Sequence, residues 1–259
     1  MTGIRSARLV EPRKSKHIDA RLAEHFQYHY QPQFALASNK LKGFECLLRL
    51  SHPETGIVGP GRFIDRLNKS TIWNRLWPVM LNKVSVEQKR HGKDLKLAIN
   101  VSPDELEKGD KSTFLQCFYN MAQDGEVDAS CIEIEITEDF QIEDYEQVNC
   151  SIYMLKQLGA KVVVDDFGAG FCNMAAIDKL DIDGVKIDRS LINGVESSEI
   201  KQTIVRSLSE IAKVKGCYVL AEGIETESQR QMSEQLGCDY GQGFLLGRPS
   251  PSFVHLIQF

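Results

Sequence analysis

Short β-rich runs alternate along the chain with longer segments whose apolar residues recur at helical spacing, and few folds accept that alternation. The runs predict strands over Tyr28–Ala35, Lys42–Leu50, Leu95–Val101, Cys131–Ile136, Lys161–Asp165, Gly184–Ile187, Tyr218–Ala221 and a last one around Gly243–Leu246. Helical patterns cover Ile72–Lys89, Tyr145–Leu158 and Ile200–Val214, with a first helix near Ile18–Phe26; Gly159 suits a C-terminal cap. Such an order implies a parallel sheet covered by helices. Eight strands within 259 residues favour a closed α/β barrel over an open sheet. The link between the first two strands is short, holding Ser38-Asn39-Lys40, whereas a parallel crossover takes about a dozen residues or more. These two strands are therefore expected to be antiparallel, which makes the fold a modified TIM (β/α)8 barrel with its first strand reversed.

Charge and cysteine usage narrow the function classes. A formal net charge of -5 argues against coating a DNA or RNA polymer, though not against a small phosphate ligand. No apolar stretch approaches the roughly 20 residues of a membrane helix. The seven cysteines are scattered, odd in number and lack a C-x-x-C pair, the pattern of reduced thiols in a cytoplasmic protein rather than a zinc site. Residues 1–25 read as an N-terminal tail and the start of the first helix, and 26–259 as the barrel. The tail carries Arg5, Arg8, Arg13, Lys14, Lys16 and Arg21 without the apolar core of a signal peptide; it is a solvated segment or a contact surface for a protein partner.

Polar residues recur where the apolar strands end. Asn100 closes Leu95–Ile99, Glu135 closes Ile132–Ile134, Asp165 and Asp166 close Val162–Val164, Lys186 follows Gly184-Val185, and Glu222 follows Val219–Ala221. In a parallel barrel all C-terminal strand ends meet on one face, so these residues are expected to converge. Any one strand-end carboxylate is more often a cap or surface group; the coincidence on several strands is what points to a site. Glu45, Asn100, Glu135, Asp165 and Asp166 are all oxygen donors, a hard set suited to Mg2+ or Mn2+. Four clustered carboxylates repel unless cations neutralise them, and two divalent ions would also align an in-line phosphodiester displacement. Adjacent Asp165 and Asp166 cannot both point inward on a regular strand, but can where the strand bends into the loop Phe167–Gly170. Glu45 and Arg49, four residues apart on one strand, share a face, so one can hold metal while the other binds a phosphate oxygen. Glu133 shares the inward face of Glu135 and calls for a buried cation such as Lys96 or Lys161.

Glu45-Cys46-Leu47-Leu48-Arg49 resembles the Glu-Ala-Leu motif of the EAL-domain cyclic di-GMP phosphodiesterases. The resemblance continues in the family's order through Tyr30-Gln31-Pro32, Asn100-Val101-Ser102, Glu135-Ile136-Thr137-Glu138, Asp165-Asp166-Phe167-Gly168, Lys186-Ile187-Asp188, Glu222-Gly223-Ile224-Glu225-Thr226 and Gln242-Gly243-Phe244. It implies a barrel with a reversed first strand that hydrolyses cyclic di-GMP to linear 5′-pGpG with two Mg2+ or Mn2+ ions, Ca2+ being inhibitory. By the same resemblance, Glu45, Asn100, Glu135 and Asp165 are ligands of one metal, and Asp165 is shared with a second metal that Asp166 also binds. Lys186 is similar to the lysine that contacts the attacking water, and Glu222 to the acidic residue near that water and the second metal. Gln242 is similar to the glutamine that helps fix the site, Gln31 and Arg49 to substrate contacts, and Glu138 to the glutamate that anchors the loop after the Asp-Asp pair. A homodimer coupled to that loop is implied as well.

Departures are few. Cys46 replaces the motif alanine and, as a small neighbour facing away from the metal, should matter little. Gly168-Ala169-Gly170-Phe171-Cys172-Asn173 replaces the commoner Gly-Thr-Gly-Tyr-Ser-Ser, in the loop that the resemblance implies joins the metal site to the dimer contact. The competing reading is a non-catalytic receptor or protein-interaction module. Inactive members usually lack metal ligands or the lysine, and this sequence keeps all of them. An NAD-binding α/β protein fails for lack of G-x-G-x-x-G after the first strand.

Overall fold

The computed structural model describes residues 23–68, 71–92, 95–137, 142–168 and 174–253. Within them run strands β1 (Phe26–Ala35), β2 (Leu41–His52), β3 (Gly56–Val58), β4 (Leu97–Val101), β5 (Ile132–Thr137), β6 (Lys161–Phe167), β7 (Gly184–Ile187), β8 (Tyr218–Ala221) and β9 (Tyr240–Gln242). The main helices are α1 (Trp73–His91), α2 (Pro103–Glu107), α3 (Thr113–Gln123), α4 (Tyr145–Gln157), α5 (Glu199–Lys215) and α6 (Glu227–Gln235).

The strands are ordered β1-β9-β8-β7-β6-β5-β4-β2, and a β1–β2 pairing closes the ring into an eight-stranded barrel; β3 is a flap on β2. β1 is antiparallel to both β2 and β9, while all other ring neighbours are parallel, as the short hairpin required. Most elements end within one or two residues of the sequence reading, and two differences matter more. Phe26 opens β1 rather than ending a helix, and the last strand is Tyr240–Gln242, ahead of the expected Gly243–Leu246. Only three residues pair there, too few to register as apolar alternation. The basic tail and most of the expected first helix lie outside the described residues.

β5 explains how the barrel separates its two faces. Its sequence Ile132-Glu-Ile-Glu-Ile-Thr alternates strictly, so with a period of two the isoleucines turn outward and the glutamates inward. Ile132, Ile134 and Ile136 join Val148, Ile152 and Leu155 of α4 in the apolar layer between strands and helices. The barrel interior is lined largely by polar groups: Gln31, Gln33, Glu45, Glu133, Glu135, Asp165, Lys186 and Gln242 are all buried. Most barrels fill this volume with branched aliphatics.

Closure on the β2 side depends on Gly43. A Cβ added there would lie 2.6 Å from the Lys96 carbonyl oxygen, in the stretch where Phe44 N donates to that same oxygen at 2.9 Å. Gly43→Ala is expected to destabilise by about 1–3 kcal/mol through overpacking against backbone. Thermal unfolding without added metal should show a fall of about 2–4 °C per kcal/mol for a chain this size. An unchanged Tm would show that β2 can shift away from β4 freely.

Candidate metal-binding active site

The C-terminal ends of β2 and β4–β9 form one mouth, where the strand-end residues meet as expected. Glu45 accepts from Asn100 Nδ2 at 2.8 Å and from Gln242 Nε2 at 2.6 Å. Gln242 Nε2 also donates to Gln31 Oε1 at 3.1 Å, and Gln31 Nε2 donates to the Gly247 carbonyl at 3.0 Å. Asn100, by donating its NH2 to Glu45, leaves its carbonyl oxygen for a cation.

Lys186 lies at the centre and is 1% exposed. Its Nζ is 2.8 Å from Glu222, 2.9 Å from Asp165, 3.1 Å from Glu135 and 3.7 Å from Glu45. Burial works against this ammonium, but Asp165, Glu135, Glu222 and Glu45 outweigh it and hold its pKa well above the usual lysine range. The carboxyls divide. Burial pushes Glu135 and Glu222 well above the ordinary range, and Asp165 above it, with Lys186 opposing only in part. For Glu45 burial is outweighed by Lys186 together with Gln242 and Asn100, so its pKa is lowered.

Asp165 and Asp166 both reach the mouth because β6 is irregular between Val164 and Phe167. Asp166 has φ 55°, a left-handed conformation rare for a residue with a side chain, and its N–H donates to Asp165 Oδ1 at 2.8 Å. The turn expected in the following loop therefore begins within the strand itself.

Two carboxylate groups result, Glu45–Glu135–Asp165 and Asp165–Asp166–Glu222, each with ligand oxygens within 4.8 Å of one another. Asp165 belongs to both. Five carboxylates face one ammonium, a formal surplus of four negative charges. Apart from the Lys186 ammonium, 3.1 Å from one of them, the two buried Glu135 oxygens have no hydrogen-bond donor among the described residues, a costly arrangement that a cation would relieve. An all-oxygen, acidic donor set of this kind fits hard divalent cations.

Above the acidic floor opens a cleft of ≈ 750 Å3. One wall is apolar, with Ile64, Trp73, Trp77, Met80 and Phe244, and the two indoles stack at 4.9 Å. Across the rim Arg189 and Glu225 form an ion pair at 2.9 Å. The sequence reading gave these residues no role, although Glu225 and Phe244 stand within motifs it quoted. Trp73 and Trp77, one helical turn apart, were the available signal on the helix; Arg189 follows a strand-end motif but looks like an ordinary loop charge. Gln31 and Gln242 line the cleft, whereas Arg49 stands outside it, its Nη1 donating to the Leu48 carbonyl at 2.9 Å. Glu138 and the loop positions Ala169–Asn173 lie outside the described residues.

Glu133 corrects one expectation. Its partner is neither Lys96 nor Lys161 but Lys42, whose Nζ lies 2.6 and 2.7 Å from the two carboxylate oxygens. Lys96 Nζ lies instead 3.4 Å from the Ser130 carbonyl.

Known proteins share this architecture. The chain is 32% identical over 229 residues to the cyclic di-GMP phosphodiesterase PA2567 of Pseudomonas aeruginosa, covering 87% of this chain and 38% of that protein, so it spans well under half of that relative's length. A solved structure titled PaMucR phosphodiesterase, c-di-GMP complex, superposes with a TM-score of 0.78 at 27% identity, covering 90% of this chain and 96% of the other. BlrP1 of Klebsiella pneumoniae, solved as a manganese/cy-diGMP complex, gives a TM-score of 0.74 at 25% identity over 87% of this chain and 56% of the other. The sequence model of the EAL domain matches residues 17–249, most of the chain, and the protein is accordingly a member of the EAL-domain family.

Proposed function

We propose that this chain hydrolyses one phosphodiester bond of cyclic di-GMP to give linear 5′-pGpG, using two Mg2+ or Mn2+ ions. The observation that carries the reading is the pair of carboxylate groups sharing Asp165 at the barrel mouth. Relatives named as cyclic di-GMP phosphodiesterases and the manganese and cy-diGMP of the BlrP1 complex support it. When bound, the ions supply Lewis acidity and lower the pKa of water. Glu45, Asn100, Glu135 and Asp165 would hold one ion, and Asp165, Asp166 and Glu222 the other.

The chain's own groups then divide the work. Lys186 and Glu222 lie 2.8 Å apart; the Lys186 ammonium, a donor only, orients the attacking water, and the Glu222 carboxylate takes its proton as its oxygen bonds to phosphorus. The bond from phosphorus to the 3′ oxygen breaks, and the phosphate stays on the 5′ side. Trp73 and Phe244 offer flat apolar faces to the bases, while Gln31 and Arg49 contact the phosphate–sugar ring, Arg49 by leaving the Leu48 carbonyl. The reading places the protein in the cytoplasm, where its substrate is a soluble nucleotide; among the described residues no helix is long and apolar enough to cross a membrane. A homodimer, and a loop from Phe167 to Asn173 coupling it to the site, belong to the same proposal.

Nucleotide chromatography after incubation with each metal is the direct test. Mg2+ or Mn2+ should give pGpG, Ca2+ should bind without supporting turnover because its longer, looser bonds misalign two ions, and chelation should abolish product. Glu45→Ala and Asp165→Ala should lose more activity than the about 10–100-fold of outer-shell changes. Lys186→Ala should lose turnover while retaining substrate binding, and Arg49→Ala should mainly raise KM. Binding of cyclic di-GMP with no product under any metal would make the chain a receptor instead.

Metal affinity should also rise with pH. Burial raises the carboxyls Glu135, Asp165 and Glu222, so each holds its proton to a higher pH than a free carboxyl, and a cation takes only the deprotonated form. Binding therefore expels protons, and affinity falls as pH drops below those raised values; Glu45, already lowered, contributes nothing to the release. Calorimetry of Mn2+ binding near neutral pH, in buffers of differing ionisation heat, should report this release. A buffer-independent heat contradicts it.

The loop makes a further test. Glu138→Ala should lower turnover and Mg2+ affinity without unfolding the barrel, since one lost anchoring hydrogen bond is worth ~1 kcal/mol. Sedimentation alongside the assay shows whether dimerisation changes with it; unchanged turnover and affinity exclude the loop as the coupling element.

A further inference from the structure

Between the N-terminal end of the barrel and its acidic mouth runs an unbroken file of buried polar side chains. Lys42 Nζ, held by Glu133, donates to Gln33 Oε1 at 3.1 Å. Gln33 Nε2 donates to Gln242 Oε1 at 2.9 Å, and Gln242 Nε2 donates to Glu45 Oε2 at 2.6 Å. Gln33 is 1% and Gln242 4% exposed, so neither can turn to water for a substitute partner.

The direction of this file is forced by its ends. A lysine ammonium has only donors, so Gln33 must present its oxygen to Lys42 and its NH2 onward. A carboxylate has only acceptors, so Gln242 must present its NH2 to Glu45 and its oxygen backward. The two constraints agree, and turning over either amide would set donor against donor or acceptor against acceptor.

Lys42 reaches the file through a break in the strand. Gly43 pairs with Gln33 and Leu41 with Phe34, so Lys42 is the extra residue of a β-bulge. Regular alternation would put it on the face opposite Gly43 and Glu45; the bulge turns it inward. Its Nζ then sits 4.8 Å from the ring centre of Tyr218 and 5.3 Å from that of Tyr240. The Tyr218 ring has room because residue 184 is glycine: a Cβ there would lie 2.5 Å from the ring.

We propose that Lys42 and Gln33 are positioning residues for the metal site, Lys42 acting from the far end of the barrel through Gln33 to lock the Gln242 amide with its N–H on Glu45. With Oε2 held by Gln242 and Oε1 by Asn100, the Glu45 carboxylate keeps one rotation and one face toward the cation. Hydrogen bonds in a dry chain also polarise one another, so the charge on Lys42 strengthens the donation at the other end. This inference rests on the reading of Glu45 as a metal ligand.

Gln33→Met tests the relay, because it cuts the middle link while leaving the Lys42–Glu133 pair intact. In metal-free protein, the side-chain NH2 signals of Gln242 in 15N–1H spectra, assigned by their loss in Gln242→Ala, should move and exchange faster with water. Calorimetry with Mn2+ alone should show an affinity lower by about 10–100-fold, the usual effect of freeing a group that orients a ligand. The double variant Lys42→Met/Glu133→Leu removes donor and counter-charge together without stranding a buried ion, and should do the same should Gln33→Met fold poorly. Unmoved Gln242 signals and unchanged Mn2+ affinity in a folded variant, with only a lower Tm, overturn the proposal. A parent protein that binds no Mn2+ while the Gln242 signals still respond would instead overturn the reading of Glu45 as a ligand.

Discussion

Everything at the barrel mouth depends on burying Lys186 among carboxylates. A single ammonium cannot neutralise Glu45, Glu135, Asp165 and Glu222 together, yet it lies within 3.7 Å of each. Removing one partner from a buried ion pair costs about 3–5 kcal/mol, because the other charge is stranded. Here the imbalance is built in, and burial with the neighbouring carboxylates raises Glu135, Asp165 and Glu222, so these groups take up protons more readily than free carboxyls do. A site in that condition is ready to exchange protons for cations. The same electrostatics that set these carboxylates against one another favour a cation among them.

That arrangement needs walls that do not move, and the rest of the fold supplies them. The apolar layer between strands and helices carries the hydrophobic stability, which leaves the barrel interior free to be polar. Amides fill the space between charges: Gln242 binds Glu45, Gln31 and Gln33 at once, and Gln31 is tied to the Gly247 carbonyl. The reversed β1 brings Gln31 and Gln33 to this place. Gln31 pairs in register with Glu45, and Gln33 pairs with Gly43 on one side and Gln242 on the other. An antiparallel strand puts its early residues near the mouth and its late ones deeper, so β1 supplies Gln31 at the mouth and Gln33 in the middle of the polar file.

Much of this was legible in the sequence, and for a definite reason. Strands β4, β7 and β8 are short apolar runs with one polar group at or just past the end, β5 carries Glu135 near its end, and chain direction alone assigns those groups to one face. The hairpin at Ser38–Lys40 fixed the sense of β1 by length. Less legible was whatever depended on three-dimensional closure. β9 is three residues long and is a strand only because β1 and β8 flank it. Trp73 and Trp77 read as helix core, and become the wall of a cleft only because their helix lies beside the mouth.

The clearest failure, the cation that faces Glu133, comes from the same kind of break in alternation that makes the site and that was anticipated at Asp165 and Asp166. Sequence patterning assumes that side chains alternate, and both strands at the heart of the site break that rule. On β6 the irregularity at Asp166 lets two consecutive carboxylates face the same space, where a regular strand would send one of them into the apolar layer. On β2 the bulge turns Lys42 inward, so the cation facing Glu133 is one that alternation assigns to the outside. Lys96 and Lys161 were the candidates by pattern, Lys161 pairing in register with Glu133 itself. A bulge costs ladder hydrogen bonds and local twist, and a left-handed Asp strains the backbone by about 1–3 kcal/mol. Each break places a charge where a regular strand could not: Asp166 makes the second cation group, and Lys42 gives the buried amides their direction. The departures from regular β geometry are therefore concentrated on the residues that carry or orient charge, and the strict alternation of β5 between them holds the rest in register.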